Sequence, residues 1–313
     1  MIYPSLLHCD NCPRNCGVNR YEQTGFCGAP AELTVNLHTL HLGEEPPLSG
    51  TRGSGTIFFS WCNLRCVFCQ NYNLSVLGWG QQISPTELCQ MMLELQHSGA
   101  HNINLVTPTH YTFQIIDAIN LAKDRGLTIP LLWNSSAYEK VSTLQKLEGL
   151  IDIYLPDYKY AHGVYALKYS SAADYPAIAL KAILEMDRQV GPLQINPNGI
   201  AVKGLIIRLL ILPDGLSGTQ KTLRTIADQL GLHHTLSIMG QYYPAGEAAK
   251  YPELQRGITQ AEYDAVVDSA LQLGFSHIYT QELSCSDAWT PRFVRNSNLV
   301  ECNVTPNYSA AEY

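Results

Sequence analysis

Three cysteines, Cys62, Cys66 and Cys69, follow the pattern C-x3-C-x2-C in SWCNLRCVFCQNYNLS, residues 60–75, and no fourth cysteine follows within reach. Thiolates are soft ligands that favour zinc or iron–sulfur clusters. A structural zinc site closes with four ligands, whereas a site that works on a small molecule keeps a position open. Three cysteines on a four-iron cluster leave one iron free, so the pattern points to an open cluster that binds a small molecule there. The competing reading is a structural zinc site finished by a histidine or by a distant cysteine such as Cys89.

A second set, Cys9, Cys12, Cys16 and Cys27, is spaced C-x2-C-x3-C-x10-C in CDNCPRNCGVNRYEQTGFCG. Four soft ligands in a short segment with no core of its own argue for a closed metal site. Zinc would make it a structural clasp, and an auxiliary iron–sulfur cluster would make it an electron relay. The spacing differs from the ferredoxin run C-x2-C-x2-C-x3-C-P, which tilts the reading towards zinc. Cys285 and Cys302 leave metal binding open, but isolated cysteines, like Cys89 on a helix face, more often serve as small buried hydrophobes.

The rest of the chain sets the context for these sites. Of ten cysteines, seven fall into the two metal-type clusters, which in a reducing compartment means metal rather than disulfide. A hydrophobic fraction of 46% with 15% charged residues describes a well-packed globular chain rather than a disordered one. The net charge of -7 provides no basic surface for nucleic acid. No apolar run reaches the ~18 residues of a membrane span, and His8, Cys9 and Asp10 arrive before any apolar leader forms. The expectation is a cytoplasmic protein with no membrane or nucleic-acid partner.

From Gly55 onward short apolar runs alternate with amphipathic segments, the signature of repeated βα units. Strands are expected at 55–61, 102–107, 129–134, 152–157, 204–212, 235–241 and 277–281. The clearest helix starts at SPTE, where Ser84 caps, Pro85 takes the first position and Glu87 completes a capping box, with Gly99 as the stop. TQAE, residues 259–262, repeats the signal, and further helices are expected over 112–125, 138–147, 172–190 and 218–230. Six strand–helix pairs and a final strand give an α/β fold: a partial (β/α)6 TIM-type barrel with function at the C-terminal strand ends. The expected division is a cysteine-rich metal module over 1–53, the barrel over 54–282 and a loop-rich tail over 283–313 packed on the barrel.

CNLRCVFC, with Phe68 in the aromatic position, resembles the signature of the radical S-adenosylmethionine (SAM) enzymes. CQNYNLS, NINLVTPTHYT, IYLPDYKY, MGQYYPAGEAAKYPEL and YTQE extend the resemblance over nearly the whole chain, to the branch related to pyruvate formate-lyase activating enzyme. The resemblance implies a [4Fe-4S] cluster on Cys62, Cys66 and Cys69 whose fourth iron is chelated by the amino and carboxylate groups of SAM. Reduction then cleaves the cofactor to methionine and a 5'-deoxyadenosyl radical, which abstracts a hydrogen atom.

The resemblance also nominates cofactor contacts at the strand ends. Where the activating enzymes carry a Gly-Gly-Glu turn, this chain has Thr107, Pro108, Thr109 and His110; they serve either as polar contacts or as a plain turn with a helix cap. Asn134 and Ser135 stand where relatives carry an Asp-Thr-Asn-like segment, and Asp157 and Lys159 match the Asp-x-Lys of glycyl-radical activators. A carboxylate and an ammonium side by side suit a zwitterionic or ribose group. Arg208 interrupts the apolar run LIIRLLIL and needs a partner, either a ligand carboxylate or Asp157. Gln241, Tyr242 and Tyr243 end the sixth strand, at the barrel mouth.

The expected function is a glycyl-radical enzyme activase, with a protein or peptide substrate and an external electron donor. Radical modification of another peptide or small molecule is the alternative. A non-catalytic iron–sulfur or zinc protein for electron transfer or scaffolding is the reading from another class.

Overall fold

The computed structural model describes residues 2–283, Phe293 and Arg295, and the backbone of Tyr308–Ser309. Eleven strands form one mostly parallel sheet: β1 (Leu33–His41), β2 (Ser54–Phe59), β3 (Gln81–Ile83), β4 (Ile103–Val106), β5 (Leu131–Ser135), β6 (Ile153–Pro156), β7 (Gln194–Ile195), β8 (Ala201–Leu210), β9 (Thr235–Met239), β10 (Ile278–Gln281) and β11 (Tyr308–Ser309). The seven expected strands are β2, β4, β5, β6, β8, β9 and β10, hydrogen-bonded in that order and all parallel. β2, β5 and β6 are buried throughout, as apolar runs covered on both faces should be. Among the described residues the path runs from β3 to β11 with no hydrogen-bonded link between its ends.

The helices among the described residues are α1 (Pro4–Leu7), α2 (Pro46–Ser49), α3 (Tyr72–Ser75), α4 (Pro85–His97), α5 (Thr112–Asp124), α6 (Val141–Leu144), α7 (Gly163–Ser170), α8 (Tyr175–Val190), α9 (Thr219–Leu230) and α10 (Gln260–Leu273). α4 and α10 carry both halves of their capping boxes, Ser84 with Glu87 and Thr259 with Glu262. The helix expected over 138–147 is one turn, α6, finished by a 3-10 turn at Gln145–Leu147. α7 was not expected; it ends on Ser171 in a left-handed conformation, φ 51°.

The boundary expected at residue 53 does not hold for the sheet. Leu33–His41 reads LTVNLHTLH, apolar at alternate positions from Leu33 to Leu37, and this period of two makes it a strand. It lies antiparallel on β2, pairing Val35 with Phe59 and His41 with Ser54, and carries β3 on its other edge. The expected tail over 283–313, with Cys285 and Cys302, falls almost wholly outside the described residues. Phe293 is described, with its ring edge-on to Phe58 at 5.3 Å.

Candidate metal and cofactor site

β2 delivers the chain to its C-terminal end at Phe59, and the three cysteines follow. Two residues of this loop take left-handed conformations that L side chains avoid at a cost of about 1–2 kcal/mol each: Trp61, φ 71°, and Arg65, φ 51°. They immediately precede Cys62 and Cys66. The indole of Trp61 lies between Gly28 and Gly78, where an added Cβ would come within 2.6 Å and 2.1 Å of its ring atoms, so only glycine fits on either side. Cys62 Sγ accepts from the Leu64 amide at 3.3 Å, and Cys66 Sγ accepts from the Ser170 hydroxyl at 3.0 Å. Phe68 sits edge-on to the rings of Tyr242, Tyr160 and Tyr169 at 5.8, 6.3 and 6.4 Å, which pins the loop to α7 and to the chain after β9.

The eight described cysteines form no disulfide. Burial, reinforced by its cysteine neighbours, pushes the Cys69 thiol up to about 12 and raises that of Cys62. Without a cation they stay protonated; a bound metal supplies the charge that a thiolate needs.

A cavity of about 200 Å³ opens at the strand ends. Its lining comes from β2, β4, β5, β8 and β9 and from the loops that follow β2, β6 and β9, so the sheet curls around it. Of the residues named from the sequence, Cys62, Cys66, Cys69, Phe68, Thr107, Asn134, Ser135, Asp157, Lys159, Arg208, Gln241 and Tyr242 line it. Lys159 Nζ donates to Asp157 Oδ2 at 2.6 Å. Burial pulls the ammonium down, but the charge and hydrogen bond of Asp157 hold it above its ordinary value, so it stays charged. Thr107 holds φ 59°, an outlier for a β-branched residue, with its amide donating to the Asn134 carbonyl at 2.9 Å. Tyr243 is not in the lining, unlike Tyr242.

Three expectations need correction. Arg208 does not pair with the Asp157 carboxylate: Asp157 is taken by Lys159, and the two strands meet there only through a backbone bridge. Arg208 Nε donates to Glu45 Oε1 at 2.7 Å and Nη2 to Glu45 Oε2 at 2.6 Å, and Nη2 also donates to Glu44 Oε2. Thr109 and His110 do not reach this cavity. Pro108 turns the chain into a 3-10 helix, Thr109–Tyr111, which carries both residues towards the N-terminal segment. There the Thr109 carbonyl accepts from Asn11 Nδ2 at 2.7 Å, and His110 Nε2 donates to the Ser60 carbonyl at 2.8 Å. His110 is 2% exposed, and burial, aided by the charge of Arg20, lowers it to about 3.

The cavity also has a floor not anticipated from the sequence. The segment between β1 and α2, LGEEP, puts Gly43 and Glu44 in the lining beside His41. Glu44 Oε1 accepts from Asn104 Nδ2 at 2.7 Å. The only sequence signal was a pair of acidic residues before two prolines in a segment of low charge. Gln70, directly after Cys69, lines the cavity too and donates to the Gln241 carbonyl at 2.6 Å, tying the cysteine loop to the end of β9.

A second, small cavity is lined by Cys9, Cys12, Cys16 and Cys27, with Asn11, Arg14, Arg20 and His110 around them. Backbone amides of Phe26 and Ala29 donate to Cys16 Sγ and Cys27 Sγ, both at 3.4 Å. Burial pushes the Cys12 thiol up to about 12 and raises that of Cys27. Four thiols around one cavity fit a soft-metal site in donor type. Among the described residues no three His, Cys, Asp or Glu side chains are already gathered as around a single ion. In the strand-end cavity, three thiols facing an ammonium and a carboxylate fit a three-thiolate cluster and a zwitterionic ligand.

Over 284 residues the chain is 30% identical to the uncharacterized protein MJ0674 of Methanocaldococcus jannaschii, covering 87% of this chain and 77% of that protein. The chain belongs to the MJ0674 family. No family model matches it. Among solved structures, this chain is similar to HydG, a maturase of the [FeFe]-hydrogenase, with a TM-score of 0.49, 14% identity and coverage of 70% of this chain and 48% of that one. Methylornithine synthase (PylB) gives 0.48, 14%, 70% and 60%, and HydG from Carboxydothermus hydrogenoformans gives 0.42, 14%, 70% and 56%. The MJ0674-family chain thus spans about half the length of these solved chains. None of the helices among the described residues is long and apolar enough to cross a membrane.

Proposed function

We propose that this chain is a radical SAM enzyme. When bound, a [4Fe-4S] cluster and SAM would supply reductive cleavage of the cofactor and hydrogen-atom abstraction by the resulting 5'-deoxyadenosyl radical. The observation that carries the proposal is that Cys62, Cys66 and Cys69 line one strand-end cavity together with the Asp157–Lys159 pair. Cys62, Cys66 and Cys69 would hold such a cluster through three of its irons and would leave the fourth for a ligand. Lys159, kept charged, and Asp157 offer complementary charge to the cofactor's polar ends, and Asn134, Ser135 and Gln241 add neutral hydrogen-bonding groups. Phe68 and its tyrosine neighbours pack an apolar wall behind the three cysteines.

The finer reading is installation of a glycyl radical on a partner enzyme, with an external electron donor. It is supported by the match of Asp157 and Lys159 to the Asp-x-Lys of glycyl-radical activators. The four N-terminal cysteines would hold zinc or an auxiliary cluster, and a cytoplasmic setting suits thiols left free of disulfides.

The test is anaerobic reconstitution. The proposal expects about four irons in the strand-end site and formation of 5'-deoxyadenosine on reduction. Cleavage at the wild-type rate by the Cys66→Ala variant would overturn it. Deuterium transfer from a labelled glycine in a candidate partner into 5'-deoxyadenosine decides the finer reading; transfer only from another peptide or a small molecule would sink it.

A further inference from the structure

The two cysteine sets are in contact, and the contacts converge on Cys27. Phe26, just before Cys27, gives its carbonyl to Arg65 Nη1 at 3.0 Å. Gly28, just after Cys27, lies against the indole of Trp61. Trp61 and Arg65 are the two left-handed residues of the three-cysteine loop, one immediately before Cys62 and the other immediately before Cys66. Neither carries the short polar side chain that eases this conformation. Such residues persist only where their surroundings over-determine them. Here the surroundings include the two residues bonded to Cys27. Arg14, two residues after Cys12, adds a third tie: its Nε donates to the carbonyl of Asn63, next to Cys62, at 2.8 Å.

We propose that the four-cysteine site is a metal-dependent clasp on the three-cysteine loop. A thiolate-bound metal, either zinc or an iron–sulfur cluster, fixes Cys27 and with it Phe26 and Gly28. These hold Arg65 and Trp61 in the conformations that present Cys66 and Cys62 to the strand-end cavity. Occupancy of the first site then orders the second with no electron passing between them. The proposal rests on the four cysteines binding metal and is independent of the reaction assigned to the other three.

The test uses full-length protein carrying Cys62→Ser, Cys66→Ser and Cys69→Ser, which leaves the four-cysteine site as the thiolate site under study. Hydrogen exchange over residues 58–71 is compared in stripped protein, in protein with one equivalent of zinc, and after reconstitution with iron and sulfide. Whichever metal is retained, exchange of the loop amides is expected to slow about tenfold. Adding Arg65→Ala is expected to leave metal retention unchanged and to abolish the slowing. The clasp is refuted if bound metal leaves the loop unchanged, if Arg65→Ala keeps the slowing, or if neither metal is retained. Equal slowing in α10, which lines neither cavity, would refute it as well, because the metal would then act on global stability.

Discussion

Replacing Arg208 by leucine tests the internal electrostatics of the fold. Arg208 is 9% exposed and holds Glu44 and Glu45, which are 6% and 0% exposed. Glu44 keeps a second donor in Asn104, but both oxygens of Glu45 lie on the guanidinium. The variant therefore strands a fully buried carboxylate. Removing one partner of a buried pair costs about 3–5 kcal/mol. At about 2 °C per kcal/mol for a chain of this size, the thermal midpoint should fall by roughly 6–10 °C at pH 7.5.

The pH dependence of that loss follows from Glu45. Burial is the largest influence on its carboxyl and pushes it up, but attraction and hydrogen bonds from Arg208 override it and hold the group below its ordinary 4.5. In the native protein this stabilises above that ordinary value and is lost as pH falls through the lower folded one. Without Arg208 the upward push of burial is opposed only by hydrogen bonds from Ser237 and the backbone, so the variant should lose stability as pH rises past 4.5. The deficit should therefore be largest near neutrality and shrink towards pH 5. Thermal midpoints by far-ultraviolet circular dichroism at the two pH values measure it. The double variant Arg208→Leu with Glu45→Leu should recover about half of the loss or more, because a buried ion pair exchanged for apolar side chains is often neutral. A single variant within about 1 kcal/mol of wild type, or a double variant no better than the single, would refute this account.

Other consequences are narrower. Lys159→Met should weaken binding of SAM about tenfold or more, because the loss of a charge-assisted bond exceeds 1.4 kcal/mol; calorimetry on the reconstituted protein would show it. Gly78→Ala forces a Cβ into the Trp61 ring and should reduce iron retained at the three-cysteine loop against a chelator, followed by the cluster's absorbance. Tyr263→Phe removes a hydroxyl that accepts from the Gln281 amide at 2.7 Å and donates to the Ile238 carbonyl at 2.9 Å. The loss of these two hydrogen bonds should cost about 1–3 kcal/mol in urea unfolding. Thr259→Ala breaks the capping box of α10 and should cost about 1 kcal/mol in the same assay.

The sequence by itself determined what depends on local chemistry and on short-range periodicity. Seven runs became the seven parallel strands, most plainly β2, β5 and β6, because a strand buried on both faces must be apolar, whichever neighbours it has. Ser84–Glu87 and Thr259–Glu262 announced their helices because a capping box closes within one turn. Cys62, Cys66 and Cys69 were legible as a set because residues three and four apart stay near one another along the chain, and all three line one cavity. Leu33–His41 was also legible in its alternation, but the cysteines before it drew it into the wrong unit.

Only the tertiary structure decided partnership. Arg208 needed an anion, and composition offered Asp157, but Lys159 lies two residues from Asp157, while Glu44 and Glu45 reach Arg208 across more than 160 residues of chain. Thr107 and His110 are near neighbours in sequence, yet a 3-10 turn after Pro108 divides them between two cavities. The joining of the two cysteine sets through Phe26 and Gly28 left no mark on either motif. A side chain's type reveals what it needs, but which group meets that need depends on where the folded chain places it.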